Sequence, residues 1–137
     1  MHGDLIFDGS ILNDLICCKN SCMAVSSIQP LPEKDFKAVI KNNKIEKIGI
    51  EFFHNALSAQ PLYKLNKKDW LIWLTTIELF CESGNDNCYA ENAFNTISNK
   101  CSIMPFDVMD RLCMEVDNIN DLNNAKNKVK ELKYEEK

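Results

Sequence analysis

Two aspartates stand beside short apolar segments that are typical of buried strands. Asp4 directly precedes Leu5-Ile6-Phe7, and Asp117 directly follows Met114-Glu115-Val116. In α/β proteins ligands bind at strand ends, where a carboxylate can hold a hard cation such as Mg²⁺ with its phosphate oxygens. The other interpretation is that Asp117 caps a helix or lies in a loop, and that Asp4 is an ordinary surface residue.

The sequence lacks the other common signatures of chemistry. Its four glycines lie at positions 3, 9, 49 and 84, so neither a G-x-G-x-x-G turn nor a G-x-x-x-x-G-K-[ST] loop can be formed. No G-x-S-x-G elbow is present, and His54 has no nucleophile partner in sequence. The seven cysteines contain no C-x₂-C pair, which disfavours a zinc site and predicts free thiols acting as small core residues.

Strand and helix patterns alternate along the chain. Strands are predicted at residues 5–7, 22–25, 62–65, 101–106 and 112–116, with a hairpin of 36–41 and 44–48 around Asn42-Asn43. Helices are predicted from Ser10, from Asn66 to the Gly84 stop, over 89–97, and from Asn118 or Asn120 onward. This order predicts an α/β protein with a mostly parallel sheet.

Length and charge narrow the class of protein. The 137 residues are the size of one domain, so we expect a single domain over 1–137. A net charge of −4 without a basic cluster argues against a nucleic-acid partner. The longest apolar run, Trp70 to Leu74, is far too short to span a membrane, and the N-terminus lacks a signal peptide. We therefore expect a cytoplasmic protein.

Four segments, in this order, resemble the sugar-phosphate and phosphocholine nucleotidyltransferases. Residues 3–8 resemble the family's G-D-hydrophobic-hydrophobic-F-D segment, and residues 36–49 its K-x-G-x-I-x-x-I-G stretch. Residues 89–93 resemble its Y-x-E-x-A helix start, and 114–122 its closing E-[IV]-D-T-x-x-D-L segment. The most similar subgroup is the bacterial choline-phosphate and aminoethylphosphonate cytidylyltransferases.

This resemblance implies a Rossmann-like three-layer α/β/α fold and a reaction. A substrate phosphate or phosphonate would attack the α-phosphate of CTP and release pyrophosphate, with Mg²⁺ as cofactor. Asp4 and Asp117 would be the catalytic metal ligands. Tyr89 and Glu91 would bind the substrate's cationic head group, because an aromatic face and a carboxylate both attract an ammonium.

The sequence also departs from the family. Members begin about 100 residues earlier, by the resemblance, with a glycine-rich L-x-A-G-x-G-x-R loop that this sequence lacks, so the fold would be incomplete and the isolated chain inactive. Ile50 replaces a frequent lysine, and Asn118 a threonine. A second hypothesis is a non-catalytic binding or assembly module that forms homo-oligomers through an uncovered sheet edge. A third is a fragment of a longer reading frame.

Overall fold

Seven strands and four helices make up the protein, whose computed structural model describes residues 2–135. The strands are β1 Leu5–Phe7, β2 Ser21–Ser26, β3 Lys37–Lys41, β4 Lys44–Gly49, β5 Ala56–Lys64, β6 Ile103–Asp107 and β7 Cys113–Glu115. The helices are α1 Gly9–Cys17, α2 Lys67–Glu82, α3 Ala90–Ile97 and α4 Ile119–Glu135. Met1, Glu136 and Lys137, which the predicted single domain includes, lie outside the described residues.

The main sheet has five strands in the order β4-β3-β5-β2-β6, and it is mixed. Only β2 and β6 run parallel; the other three pairings are antiparallel. The prediction of a mostly parallel sheet is therefore wrong. Parallel pairing needs a crossover, usually a helix, whereas β2 to β5 are joined by a two-residue turn and by loops without helices.

The predicted hairpin is present, formed by β3 and β4. Asn42 and Asn43 have φ angles of 51° and 59°. Asparagine tolerates this left-handed region better than most residues, and two such residues in succession give a turn whose twist matches that of the strands. The Asn-Asn pair therefore sets the register next to the turn, where Ile40 lies opposite Ile45. An irregularity between Val39 and Ile40 then shifts the register, so that Lys37 lies opposite Gly49.

Helices cover both faces of the main sheet, as β2 shows. Met23 and Val25 face a core that includes Trp73 of α2 and Phe94 of α3. The alternate residues of β2, Cys22 and Ala24, face a second core with Ile11 and Leu15 of α1. Because successive side chains of a strand point to opposite faces, the fully buried β2 sits between two helical layers. Among residues 2–135, no helix is both long and apolar enough to cross a membrane.

β5 is longer than predicted and contains an irregularity that matters for the site. The sequence predicted only residues 62–65, but the strand runs from Ala56 to Lys64. Its register with β2 shifts between Met23 and Val25, in the stretch that contains Pro61. Proline cannot donate a ladder hydrogen bond, so a bulge there is expected. The Pro61 carbonyl accepts a hydrogen bond from the backbone N–H of His2 at 3.2 Å instead.

A separate two-stranded sheet is formed by β1 and β7, which run antiparallel with Leu5 opposite Glu115. Helix α1 follows β1 directly. The side chain of Asp8, and not that of Ser10 as predicted, caps this helix by accepting the Ser10 N–H at 2.8 Å. An aspartate two residues earlier competes successfully because a carboxylate is an equally good N-cap.

The cysteines are all free in the part of the chain described. Cys22 and Cys101 are buried core residues, as predicted, but Cys17, Cys81 and Cys88 are exposed. Cys18 and Cys113 are partly buried and pack against the second core. The expectation that the thiols act as core residues is therefore confirmed for Cys22 and Cys101, holds in part for Cys18 and Cys113, and is wrong for the three exposed cysteines.

Candidate functional site

Asp4 and Asp117 lie together, although more than a hundred residues separate them in sequence. In an antiparallel pair the start of one strand meets the end of the other. Asp4 precedes β1 and Asp117 follows β7, and the Val116 N–H donates to the Asp4 carbonyl at 2.9 Å. Both aspartates line one cavity of about 220 Å³.

Two further carboxylates, those of Asp35 and Glu115, face the same cavity. The carboxylate oxygens of Asp35, Glu115 and Asp117 lie within 4.8 Å of one another, and a ligand atom of each of His2, Asp4 and Glu115 meets the same limit. Glu115 belongs to both groups. The cavity therefore gathers three aspartates around the shared carboxylate of Glu115. This set of oxygen donors suits a hard divalent cation.

The electrostatics of the cavity reflect this crowding. Burial, followed by the charges of Asp4 and Asp35, raises the pKa of Glu115. Partial desolvation, followed by the hydrogen bond and the charge of Asp4, raises the pKa of Asp117. Like charges held this close disfavour ionisation of one another. A bound cation would remove that repulsion, so the residues present fit Mg²⁺.

Asp35 reaches the cavity from a loop that a buried lysine holds in place. The Lys37 side chain is fully buried, and its Nζ donates to the carbonyls of Pro32 and, at 3.0 Å, of Asp35. The same Nζ lies 4.3 Å from the ring centroid of Phe53. Burial lowers the pKa of Lys37. These contacts fix the backbone on both sides of the turn that presents Asp35.

Tyr89 also lines this cavity. It is the N-cap residue of α3, where its backbone N–H donates to Asn92 Oδ1 at 2.9 Å. Its ring meets the buried Phe36 edge to face, with centroids 5.1 Å apart, yet about half of its surface is exposed. The structure thus places one of the two predicted head-group residues beside Asp4 and Asp117.

Glu91 lies in a neighbouring cavity of about 330 Å³, which Tyr63, Trp70 and Trp73 also line. Its side chain is 4% exposed, and Oε1 accepts the Tyr63 hydroxyl at 2.6 Å. Burial and the charge of Glu91 hold the pKa of Tyr63 well above its usual range, so the phenol remains a donor. Glu91 Oε2 is buried and has no hydrogen-bond partner among residues 2–135.

The two tryptophans of α2 differ in their surroundings. Trp73 is buried and donates its indole N–H to the Ala90 carbonyl at 2.8 Å, while Trp70 is about half exposed. Their spacing of three residues on a helix favours a core or partner-facing stripe over a pocket. Trp73 is a core residue, and both rings also line the cavity that holds Glu91.

His2 connects the two cavities, since it lines both. Its Nδ1 lies 3.5 Å from Glu115 Oε1, and its Nε2 lies 3.7 Å from Glu91 Oε1. The ring also packs edge to face on Phe36, with centroids 6.0 Å apart. His54, by contrast, is exposed and lines neither cavity, as its loop position predicted.

Sequence reasoning proposed Asp4, Asp117, Tyr89 and Glu91 but missed three possible metal ligands of the cavity wall: His2, Asp35 and Glu115. A signal existed for two of them. His2 and Glu115 each lie two residues before a predicted aspartate, and residues two apart on an extended chain share a face. Asp35 follows a proline-rich loop, whose path no periodicity predicts.

Known structures resemble this arrangement of strands and helices. The inositol-1-phosphate CTP transferase from T. maritima superimposes with a TM-score of 0.68 at 24% identity, over 88% of this chain and 49% of that chain. A protein assigned as a glucose-1-phosphate thymidylyltransferase from Bacillus anthracis, solved with sucrose, gives a TM-score of 0.64 at 16% identity, over 90% and 50%. Neither a protein-family profile nor a curated protein sequence matches the chain.

These likenesses confirm, at the level of the fold, the resemblance that the sequence motifs indicated. This chain spans about half the length of the two structures it matches. The described residues therefore share the fold of about half of each of these two structures.

Proposed function

We propose that this chain carries the acceptor and metal side of a nucleotidyltransferase of the cytidylyltransferase type. The observation that supports the proposal is the meeting of Asp4 and Asp117 in one acidic cavity. In such a reaction an acceptor phosphate or phosphonate oxygen attacks the α-phosphate of CTP, a new P–O bond forms, and pyrophosphate leaves. The attack brings anionic groups together, so a cation-binding cavity is the feature that the chemistry requires.

Asp4 and Asp117 are the residues that would hold Mg²⁺, with Glu115 and Asp35 close enough to contribute. When bound, Mg²⁺ offsets the charge of the phosphates and orients them. The chain's own part is to position the cation by rigid elements: Asp4 and Asp117 flank a hydrogen-bonded strand pair, and Lys37 fixes the loop of Asp35. A site built this way is held before any substrate arrives.

Tyr89 and Glu91 would bind a cationic group on the acceptor. Glu91 brings a buried carboxylate whose Oε2 has no partner in the described chain, and the aromatic walls of its cavity would stabilise an ammonium. Tyr89 lines the cavity of the carboxylates, which His2 also lines. An acceptor with its phosphate near Asp4 and its ammonium near Glu91 would occupy both cavities at once. Phosphocholine and aminoethylphosphonate have this bipolar form.

Phosphocholine should therefore bind saturably in the presence of Mg²⁺, and Glu91→Gln should weaken binding by about tenfold or more, because a buried charge pair is lost. Trp70 and Trp73 are the two tryptophans of the chain and both line the cavity, so intrinsic fluorescence reports binding directly. Pyrophosphate release with CTP, measured in parallel, would test transfer itself.

The matched control for Glu91→Gln is Tyr63→Phe, which removes the hydrogen bond to Glu91 but leaves its charge. That variant should retain most of the affinity for phosphocholine. Glucose 1-phosphate, which carries no ammonium, should bind more weakly than phosphocholine and should be indifferent to Glu91→Gln. Equal affinity for the two acceptors would contradict the proposed role of Glu91.

A second candidate function, a self-associating module, is favoured by the free edge of β1. Within residues 2–135, β1 pairs with β7 alone, and the following helix exposes Leu12 and Ile16. Unpaired edges and exposed apolar residues tend to pair with another chain. We expect a homodimer in sedimentation-velocity experiments, and Ile16→Lys should shift it toward monomer. A monomer at every concentration tested would exclude this second function.

A further inference from the structure

One imidazole and two carboxylates lie close together where the two cavities meet. His2 Nδ1 is 3.5 Å from Glu115 Oε1, and His2, Asp4 and Glu115 each offer a ligand atom within 4.8 Å of the others. This set contains an imidazole, unlike the neighbouring group of Asp35, Glu115 and Asp117. Nitrogen ligands favour transition metals, whereas Mg²⁺ and Ca²⁺ prefer sites built from oxygen alone.

The imidazole is held in place by three independent contacts. The backbone N–H of His2 donates a hydrogen bond to the Pro61 carbonyl, which the β5 bulge leaves available. Its ring packs on the buried Phe36, and its Nε2 faces Glu91 Oε1 at 3.7 Å. With Nε2 directed at a carboxylate, Nδ1 is the nitrogen that faces Asp4 and Glu115.

Glu91 is the carboxylate that faces the other ring nitrogen of His2. Its side chain is 4% exposed, one oxygen is bonded to Tyr63, and the other has no hydrogen-bond partner within the described residues. A buried carboxylate is costly unless positive charge lies nearby. Metal-bound histidines commonly donate their second N–H to a carboxylate, which orients the ring and strengthens it as a ligand. At 3.7 Å the Glu91-His2 contact is longer than a hydrogen bond, but it places a carboxylate beside the second ring nitrogen.

We propose that His2, Asp4 and Glu115 form a second cation site, which takes a divalent transition metal through His2 Nδ1 and the two carboxylates, with Glu91 positioning the ring. The site shares Asp4 and Glu115 with the proposed Mg²⁺ site, and Glu91 with the proposed ammonium site, but it uses His2 and not Asp117. Its three ligands are defined by their own proximity, which does not depend on nucleotidyl transfer.

Co²⁺ is a suitable probe, because it is paramagnetic and binds nitrogen and oxygen ligands. The full chain, with any affinity tag removed, is titrated with Co²⁺ while the ring protons of His2 and His54 are followed by NMR. His54 is the other histidine of the sequence and serves as an internal reference. We expect the His2 signals to shift or broaden at low Co²⁺, and those of His54 to remain unchanged.

Calorimetry with variants separates this site from the Mg²⁺ site. His2→Asn should lower the affinity for Co²⁺ by at least about tenfold, the scale seen when a metal site loses a supporting group, and should leave Mg²⁺ binding unchanged. His54→Asn is the matched control and should bind both ions normally. Glu91→Gln should weaken Co²⁺ binding less than His2→Asn, because it alters the orientation of the ligand and not the ligand itself.

The thermal transition of the His2→Asn variant must show that it is folded. The proposal is overturned if this variant binds Co²⁺ as tightly as the unmodified chain does. Co²⁺ that broadens no His2 signal has the same meaning. An intense near-ultraviolet charge-transfer absorption band would show that cysteine thiolates bind the Co²⁺. That result would also overturn the proposal. Loss of Mg²⁺ binding in Asp117→Asn with Co²⁺ binding retained would support both sites separately.

Discussion

Asp117→Asn should weaken Mg²⁺ binding by at least about tenfold, measured by calorimetry on the full chain. Asparagine preserves the size of the side chain and one oxygen donor but removes the negative charge. Asp117 shares the cavity with Asp4, Asp35 and Glu115, and the charge of Asp4 helps to raise its pKa. The cation gains affinity by relieving this repulsion, so a variant with one fewer charge has less to relieve.

Asp110→Asn is the matched control for this substitution. Asp110 is an exposed aspartate in the loop before β7 that does not line the acidic cavity. It makes the same change in net charge, so it corrects for nonspecific attraction of Mg²⁺ to an acidic protein. The two variants should differ clearly. If both bind Mg²⁺ as the unmodified chain does, Asp117 is a helix-start residue and not a ligand, which is the other interpretation of its place in the sequence.

Asp69→Ala should lower the free energy of unfolding by about 3 kcal/mol or more, because two buried hydrogen bonds to a carboxylate are lost. Asp69 is 6% exposed in the first turn of α2. Its Oδ2 accepts the Ser21 hydroxyl at 2.6 Å, and its Oδ1 accepts the Ser102 N–H at 3.1 Å. One carboxylate thus joins the start of β2, the start of α2 and the segment before β6.

Urea unfolding followed by circular dichroism measures this loss. Lys68→Ala, at the exposed neighbouring position, should change the unfolding free energy by less than about 0.5 kcal/mol. Asp69→Asn should fall between the two, because the amide oxygen can still accept one of the two bonds. A midpoint for Asp69→Ala equal to that of Lys68→Ala would show that these contacts contribute nothing to stability.

Local elements could be predicted from the sequence because their signals are local. Asn42-Asn43 predicts a hairpin through the φ angles that asparagine tolerates, and Gly84, with φ of 81°, ends α2 where predicted. The direction of strand pairing is not a local property. It depends on whether a helix crosses over between strands, and no helical pattern separates β3, β4 and β5.

The candidate site likewise depends partly on local signals and partly on strand pairing. Asp4 and Asp117 were predicted because both stand at the ends of strands, on the assumption of a mostly parallel sheet. In parallel strands, however, a residue before one strand and a residue after its neighbour lie at opposite ends of the strands. Their meeting depends on the antiparallel pairing of β1 with β7. Asp35 could not be predicted, since its place depends on the buried Lys37 and on a loop.

The strand pair that joins Asp4 to Asp117 would also couple the proposed ion binding to local folding. β1 and β7 are each three residues long and form a sheet of their own, so opening of this pair is a smaller unfolding event than loss of the five-stranded sheet. Separation would carry Asp4 away from Asp117 and Glu115. A cation that needs both strands therefore stabilises their closed form, by an amount that grows with the logarithm of its concentration. The metal would therefore stabilise the contact between two distant parts of the chain, in addition to its proposed role in nucleotidyl transfer.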